Sequence, residues 1–207
     1  MQSLLKEGEP SKAKAILMVG GYSESPLLAE TMREKFPRLK IIVPTDAGLA
    51  VLKGAVIFGH CPTSISERMS KYTYGIHCTE PFNKDEHPID KLIKSDAGDR
   101  CDDIFSILVS SDQTLVVGEK QAEKRFYTSS INQTELEFKI YTSTNKDVQY
   151  VTDEGCRKIG CLRIPLSGSV TDRWVTIRLY FGGTEIKVEG EEEATGRITS
   201  TVVDFLL

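Results

Sequence analysis

The sequence predicts an α/β segment followed by an all-β domain of the antiparallel β-sandwich class. Up to residue 68, short apolar runs alternate with helical apolar stripes, which is typical of a parallel sheet and its helices. From Tyr72 onward, apolar residues recur at every second position and turn residues separate many short segments, which is typical of a sandwich. We therefore expect two domains, 1–68 and 69–207.

The α/β segment contains two strand candidates and two helix candidates. Residues 15–19 form a continuous apolar run, as in a strand that is covered on both faces. Ser25 and Pro26 are suited to the N-cap and the first position of a helix. A second apolar run at 41–43 and an apolar helix at 46–59 follow. Because so short a segment cannot cover its own apolar faces, we expect it to belong to a larger domain.

The second segment is predicted to consist of half-buried strands. Residues 135–142 and 174–181 alternate apolar and polar side chains, and Gly182-Gly183 predicts a tight hairpin. The other strand candidates are 72–78, 104–109, 115–118, 125–128, 159–164, 185–188 and 197–205. We expect 104–109 to pair with 115–118, and 83–95 to be a polar insertion. The acidic run 191–193 is expected to lie in solvent at a hairpin tip.

The composition argues against several classes of protein. The 207 residues carry 26 basic and 30 acidic side chains, a net charge of −4, without the clustered Lys and Arg that nucleic-acid binding needs. No apolar stretch approaches the roughly 18–20 residues of a membrane span, and the N-terminus lacks the apolar core of a signal peptide. Five irregularly spaced cysteines favour a reduced, cytoplasmic protein.

The first candidate for chemistry is the turn from Gly20 to Pro26. Glycines allow a ligand to approach the backbone, and the start of a helix offers free N–H groups. On the residues alone, an ordinary strand-to-helix turn explains the glycines more simply. The turn is not a dinucleotide-binding fingerprint, and Gly54 and Gly59, which have the spacing of a P-loop, precede His-Cys instead of Lys-Ser/Thr.

The remaining residues predict neither a metal site nor a catalytic group. The His-Cys pairs at 60–61 and 77–78 lack the ligand spacing of structural zinc sites. Cys156 and Cys161 flank a strand candidate and are not expected to form a redox pair. No Ser or Cys stands in the strained turn that a nucleophile needs.

Several segments nevertheless resemble a known family. Residues 19–28, Pro44-Thr45-Asp46 and Lys53-Gly54-Ala55-Val56 resemble the end of the ATPase domain of the 70-kDa heat-shock proteins. Residues 72–76 and 204–206 are similar to the divergent heat shock 70 kDa protein 12 branch. The resemblance runs from about Lys14 to the C-terminus. It implies the terminal piece of an actin-like ATPase domain followed by a β-sandwich of the chaperone substrate-binding type.

The resemblance also implies two binding sites. Gly20 and Gly21 would approach the adenosine of ATP, Ser23 would lie nearby, and Asp46 would belong to the segment that lines the nucleoside pocket. Glu24 stands where the common form of the family has an arginine that packs on adenine. The sandwich would bind an extended apolar stretch of a polypeptide client or partner protein. The usual interdomain linker and helical lid are not found in this sequence.

These observations lead to a first functional hypothesis and two alternatives. The first is the C-terminal portion of a stress-response chaperone with the adenosine side of an ATP-binding cleft and a polypeptide-binding sandwich. The second is a protein-interaction adaptor without a nucleotide role, and the third is a truncated paralogue. A preference for extended apolar peptides would favour the first over the second.

We predict that the purified 207-residue chain does not hydrolyse ATP. In the family that it resembles, the phosphate-binding strands and the Mg²⁺-positioning carboxylates lie upstream of the adenosine motif, and no Asp-x-Gly-Thr hairpin occurs here. Phosphoryl transfer depends on those groups, so ATP and its metal would be held only together with the upstream part. Phosphate release should equal the no-enzyme rate, and ATP-specific turnover by the chain would contradict the prediction.

Overall fold

The computed structural model describes residues 12–61, 64–96, 98–128, 133–167, 173–182 and 185–204. The chain divides into two compact units, Met1–Ser64 and Ile65–Leu207. Within the described segments, no helix has both the length and the apolar character needed to traverse a bilayer. The predicted hairpin residue Gly183 and the predicted strand end Phe205 lie outside the described residues.

The first unit is a small α/β arrangement. Its elements are β1 (Ala15–Leu17), α1 (Pro26–Lys35), β2 (Lys40–Ile42) and α2 (Ala50–His60). The two strands are parallel, with Ile16 opposite Ile41. Helix α1 begins as predicted, with Ser25 as the N-cap residue and Pro26 in the first turn. A parallel pair joined through a helix is the connection that the alternation of apolar runs predicts.

Most apolar side chains of this first unit are exposed. Leu17 of β1 keeps 61% of its surface accessible, and Leu27 of α1 keeps 72%. No described residue of α2 is buried. The large apolar residues with exposed side chains are Leu17, Val19, Tyr22, Leu27, Ile42, Leu49, Val51, Leu52, Val56 and Ile57. As the sequence indicates, the unit does not cover its own apolar faces.

The second unit contains eleven described strands in antiparallel pairs. They are β3 (Glu67–Met69), β4 (Thr73–Pro81), β5 (Leu92–Ser95), β6 (Gly98–Val109), β7 (Thr114–Val116), β8 (Lys120–Tyr127), β9 (Glu135–Ser143), β10 (Cys156–Pro165), β11 (Trp174–Phe181), β12 (Glu185–Glu192) and β13 (Arg197–Asp204). One sheet has the order β10-β9-β4-β6-β5 and the other β13-β12-β11-β8, while β3 pairs with β7. The prediction of a mostly antiparallel β architecture is confirmed.

The two large sheets share one hydrophobic core. Ile140 and Ile164 contribute to it from the five-stranded sheet, and Ile177 and Val188 from the four-stranded sheet, all with at most 1% of their surface accessible. The predicted period of two in β9 and β11 accounts for this burial, since alternate residues of a strand face the same side. Two packed sheets around one core form a sandwich.

The predicted pairing of 104–109 with 115–118 is wrong. Strand β6 pairs with β4 along residues 104–109, whereas its other edge pairs with β5 only through residues 98–101 and with Tyr150 at Ile104. The connection after β6 turns back at Asp112, whose φ is 65°, and β7 pairs with β3 instead. Strand β5 lies inside the predicted polar insertion and follows a short 3₁₀ turn at Ile89–Lys91.

The prediction of a solvated acidic hairpin tip is also wrong. Glu191 and Glu192 lie in β12, and the Glu192 side chain is fully buried. Its carboxylate accepts hydrogen bonds from the Ser167 amide at 2.6 Å, the Ser167 hydroxyl at 3.1 Å and the Thr195 hydroxyl at 2.6 Å. Burial raises the pKa of Glu192, but these bonds and the charge of Arg173 outweigh it, so the pKa lies below its usual value.

Replacing Glu192 by alanine should destabilise the sandwich by about 1–3 kcal/mol, because the substitution removes a fully buried side chain together with the hydrogen bonds that its carboxylate accepts from Ser167 and Thr195. The matched control Glu185→Ala changes an exposed residue at the start of the same strand and should cost less than about 0.5 kcal/mol. Urea unfolding followed by circular dichroism measures both free energies. Equal stabilities of the two variants would contradict this account of Glu192.

The Glu192 contribution also has a predicted pH dependence. A carboxyl group whose pKa is lowered on folding stabilises the fold above its ordinary pKa of 4.5, and that stabilisation is lost as the pH falls through the folded value. The difference between the wild-type chain and Glu192→Ala should therefore be complete at pH 7 and shrink below pH 4.5. A constant difference across this window would contradict the assignment.

Candidate functional site

The predicted glycine turn joins β1 to α1 and faces open space. Gly20 has φ 93° and ψ 163°, a conformation open essentially to glycine alone. A 3₁₀ turn at Gly21–Glu24 follows, and the buried Ser23 donates its hydroxyl to the Gly20 carbonyl at 2.5 Å. A Cβ added at Gly20 or Gly21 would meet no heavy atom within 4 Å. The backbone of this turn is therefore accessible to a ligand.

A second turn lies against the first. Asp46 has a left-handed backbone with φ 60° and precedes a 3₁₀ turn at Ala47–Leu49. The Gly20 amide donates to the Ala47 carbonyl at 2.8 Å, which ties the two turns together. The Asp46 carboxylate accepts a hydrogen bond from Lys53 Nζ at 2.8 Å, and both side chains are more than half exposed. The structure thus brings all four predicted binding residues into one pair of turns.

Glu24 has a structural role that the sequence does not reveal. Its carboxylate accepts the Gly48 amide at 2.7 Å, forming a second link between the two turns. A Cβ on Gly48 would lie 2.9 Å from the Glu24 oxygen, so the Glu24 carboxylate would have to shift to accommodate a larger residue. The Glu24 side chain therefore contacts the protein itself. The turn pair exposes backbone groups and the Asp46 carboxylate, whereas the Ser23 hydroxyl is buried against Gly20.

The sandwich contains a separate cleft of about 570 Å³. Residues of β4, β6 and β9 line it from the five-stranded sheet, and residues of β8 line it from the edge of the four-stranded sheet. Its main apolar side chains are Phe126, Leu136 and Phe138. The rings of Phe126 and Phe138 meet edge to face, with centroids 5.2 Å apart. Among the described strands β8 is the last of its sheet, and the cleft lies beside it.

The polar end of the cleft is organised by Arg100. Its Nε donates to the Thr79 hydroxyl at 2.8 Å and its Nη2 to the Thr79 carbonyl at 2.7 Å. Its Nη1 donates to the Tyr127 hydroxyl at 3.1 Å, and the guanidinium carbon lies 5.6 Å from the centre of the Tyr127 ring. The Tyr127 ring in turn packs against Trp174, with centroids 5.5 Å apart. Arg100 thus connects β4, β6 and β8.

One group of potential metal ligands lies near this cleft. Of the described residues, His77, Asp102 and Asp103 bring three ligand atoms within 4.8 Å of one another. Lys91 Nζ is 2.9 Å from Asp103 Oδ2, and its hydrogen bond is the main reason that the pKa of Asp103 is lowered. The lysine already supplies a positive charge here, so the cluster is explained as an ion-pair network. The sequence predicts no such cluster because His77 is distant from the aspartates in the chain.

The five cysteines are all free thiols. Cys78 lines the cleft, where burial raises the pKa of its thiol and the charge of Lys124 opposes that rise. A raised pKa keeps the thiol protonated and weakly nucleophilic. We therefore assign no catalytic role to these residues.

Comparison with known proteins identifies the relatives of this chain. No family model matches it. It is 35% identical over 213 residues to heat shock 70 kDa protein 12A of Homo sapiens and, equally, of Mus musculus. It is 31% identical over 218 residues to heat shock 70 kDa protein 12B of Homo sapiens. Each alignment covers 100% of this chain.

This chain is a homologue of heat shock 70 kDa proteins 12A and 12B. The predicted resemblance is therefore confirmed over the whole length of the chain. The chain spans about a third of the length of these relatives, 31% of protein 12A and 32% of protein 12B, and it corresponds to their C-terminal part.

The Gly20 conformation leads to a prediction for the turn pair. Gly20→Ala should destabilise the first unit by about 1–3 kcal/mol, because alanine is strained at this positive φ. Gly21→Ala is the matched control, since its φ is not positive and its Cβ would enter open space. Amide hydrogen exchange of peptides from residues 12–61 should accelerate in Gly20→Ala and not in Gly21→Ala. Equal acceleration in both variants would contradict the role of Gly20.

Proposed function

We propose that this chain is the polypeptide-binding part of a heat-shock-70-type chaperone and also contributes the adenosine side of its ATP site. The observation that carries the proposal is the open cleft beside β8, with Phe126, Leu136 and Phe138 on its apolar wall. Homology to the C-terminal part of heat shock 70 kDa proteins 12A and 12B supports the same assignment.

The dimensions of the cleft suit side chains of an extended polypeptide. Its volume of about 570 Å³ lies within the ordinary range of ligand sites. Each Leu, Val or Phe side chain buried from water contributes about 1.5–3 kcal/mol. Strand β8 lies at the edge of its sheet, where main-chain groups of a bound segment can find hydrogen-bonding partners. One or two apolar anchors with main-chain contacts would give reversible binding.

The turn pair is proposed to contact the nucleoside of ATP. Gly20 and Gly21 leave the backbone accessible, with Ser23 beneath them and Asp46 on the neighbouring turn. In this proposal the exposed apolar faces of β1 and α2 pack against the rest of the ATPase domain. The rest of the ATPase domain would then contact the other side of the nucleotide, which the turn pair alone does not cover.

The polypeptide site is tested by substituting its apolar wall. Leu136→Gln should weaken binding of a fluorescein-labelled Gly-Leu-Val-Leu-Asn-Ser-Gly peptide amide at least about fivefold, because the glutamine amide must be desolvated in the cleft. Val202→Gln is the control, since Val202 is exposed on β13 and lies outside this cleft. Fluorescence anisotropy gives both affinities, and circular dichroism checks that both variants fold.

Two results would overturn the polypeptide proposal. One is the absence of any preference for this peptide over an equally long Gly-Ser peptide, which would favour an adaptor function instead. The other is equal weakening by both substitutions, which would place the peptide outside the cleft.

A further inference from the structure

We propose that the cleft selects polypeptide segments that carry a carboxylate beside their apolar residues, and that Arg100 and Lys124 bind this carboxylate. The inference rests on the proposed polypeptide-binding function and specifies its substrate class. It follows from the distribution of charge among the side chains that line the cleft.

Arg100 is a buried cation whose described partners are all neutral. Only 6% of its surface is accessible, and its guanidinium contacts the Thr79 hydroxyl, the Thr79 carbonyl and the Tyr127 hydroxyl. Among the described residues, no carboxylate forms an ion pair with it. A buried charge without a countercharge is costly, and hydrogen bonds from neutral groups offset only part of that cost. An anion that enters the cleft would supply the missing charge.

The carboxylates that line the cleft are already engaged elsewhere. The Asn83 amide donates to His87 Nδ1 at 3.0 Å, so the proton of the neutral ring lies on Nε2 and is donated to Glu80 at 3.0 Å. Glu137 accepts a hydrogen bond from Arg163 Nη2 at 3.0 Å. The pKa of Glu137 is lowered, first by a hydrogen bond from Cys161 and then by Arg163. Among the described contacts, neither carboxylate forms an ion pair with Arg100.

Lys124 adds a second cation on the cleft side of β8. It pairs across the sheet with Ile177, whereas Phe126 pairs with Val175, and both partners point into the core. Lys124 and Phe126 therefore share the inward face of the edge strand. Its charge acts on the Cys78 thiol inside the cleft. The described residues provide no ion-pair partner for Lys124.

The neighbouring Arg125, unlike Lys124 and Arg100, has a carboxylate partner among the described residues. Arg125 also borders the cleft, but its guanidinium is engaged by Glu193, which its Nε and Nη2 contact at 2.7 and 2.6 Å. Its guanidinium also stacks on Trp174, with 4.5 Å to the ring centre. The charge of Arg125 is thus compensated within the sheet, whereas those of Arg100 and Lys124 have no such partner among the described residues. Charge-assisted hydrogen bonds to a ligand carboxylate would satisfy both.

The test compares peptides that differ only in charge. The probes are fluorescein-labelled Gly-Leu-Val-Leu-Xaa-Ser-Gly amides in which Xaa is aspartate, asparagine or lysine. The wild-type 207-residue chain should bind the aspartate peptide about 10-fold more tightly than the asparagine peptide, and the lysine peptide least. A further pair, Gly-Leu-Val-Leu as free acid and as amide, distinguishes a C-terminal carboxylate from a side-chain carboxylate.

Two variants assign the preference to the cleft. Lys124→Gln changes an exposed residue and should reduce the ratio of aspartate to asparagine affinity severalfold. Arg100→Lys keeps a charge but loses the planar contacts to Thr79 and Tyr127, and should also reduce the ratio. Lys158→Gln is the matched control, since this exposed lysine of β10 does not line the cleft. It should leave the ratio unchanged.

The outcomes separate this inference from the proposed function. If the aspartate and asparagine peptides bind equally while Leu136→Gln weakens both, polypeptide binding stands and carboxylate selection is overturned. Lys124 would then be an inward charge that protects an edge strand. If none of the peptides binds, both proposals are overturned. A reduced ratio in Lys158→Gln would also overturn the assignment to Arg100 and Lys124.

Discussion

The packing of the two sheets against each other is the constraint on which the rest of the structure depends. Gly190 of β12 lies so close to Ile164 of β10 that a Cβ would overlap the isoleucine side chain. Gly160 of β10 approaches Val203 of β13 in the same way. At these two glycines the sheets are in close contact, so this side of the sandwich leaves no space between them. Strand β8 is at the opposite edge of its sheet, and there the cleft opens.

Local patterns predicted the parts of this fold that local physics determines. The period of two in residues 135–142 and 174–181 predicted which side chains enter the core, because strand geometry alone sets that alternation. The partner of β7 and the burial of Glu192 depend on contacts between distant parts of the chain. Neither the pairing of distant strands nor a hydrogen bond between distant residues leaves a signal in the local sequence.

The glycine turn and the cleft also differ in how far the local sequence predicts them. The glycine turn was predictable, since Gly20 and Gly21 precede a helix start with Ser25 and Pro26. Its link to Gly48 through Glu24 was not, because an isolated glutamate is ordinarily a solvated surface residue. A peptide-binding groove was expected only as an implication of the family resemblance, and no residue of the cleft was singled out from the sequence as a ligand-binding residue. The charge pattern of the cleft depends on which of the cations beside it has a carboxylate partner.

The contact between Trp174 and Tyr127 gives this protein an intrinsic optical reporter. Trp174 is the only tryptophan in the sequence, and its ring packs on Tyr127, whose hydroxyl accepts a hydrogen bond from Arg100 at the end of the cleft. A ligand that moves the Arg100 guanidinium alters the setting of Tyr127 and thereby the surroundings of the indole. If a ligand binds in the cleft as proposed, the emission of this one fluorophore would report its binding through a single intervening ring.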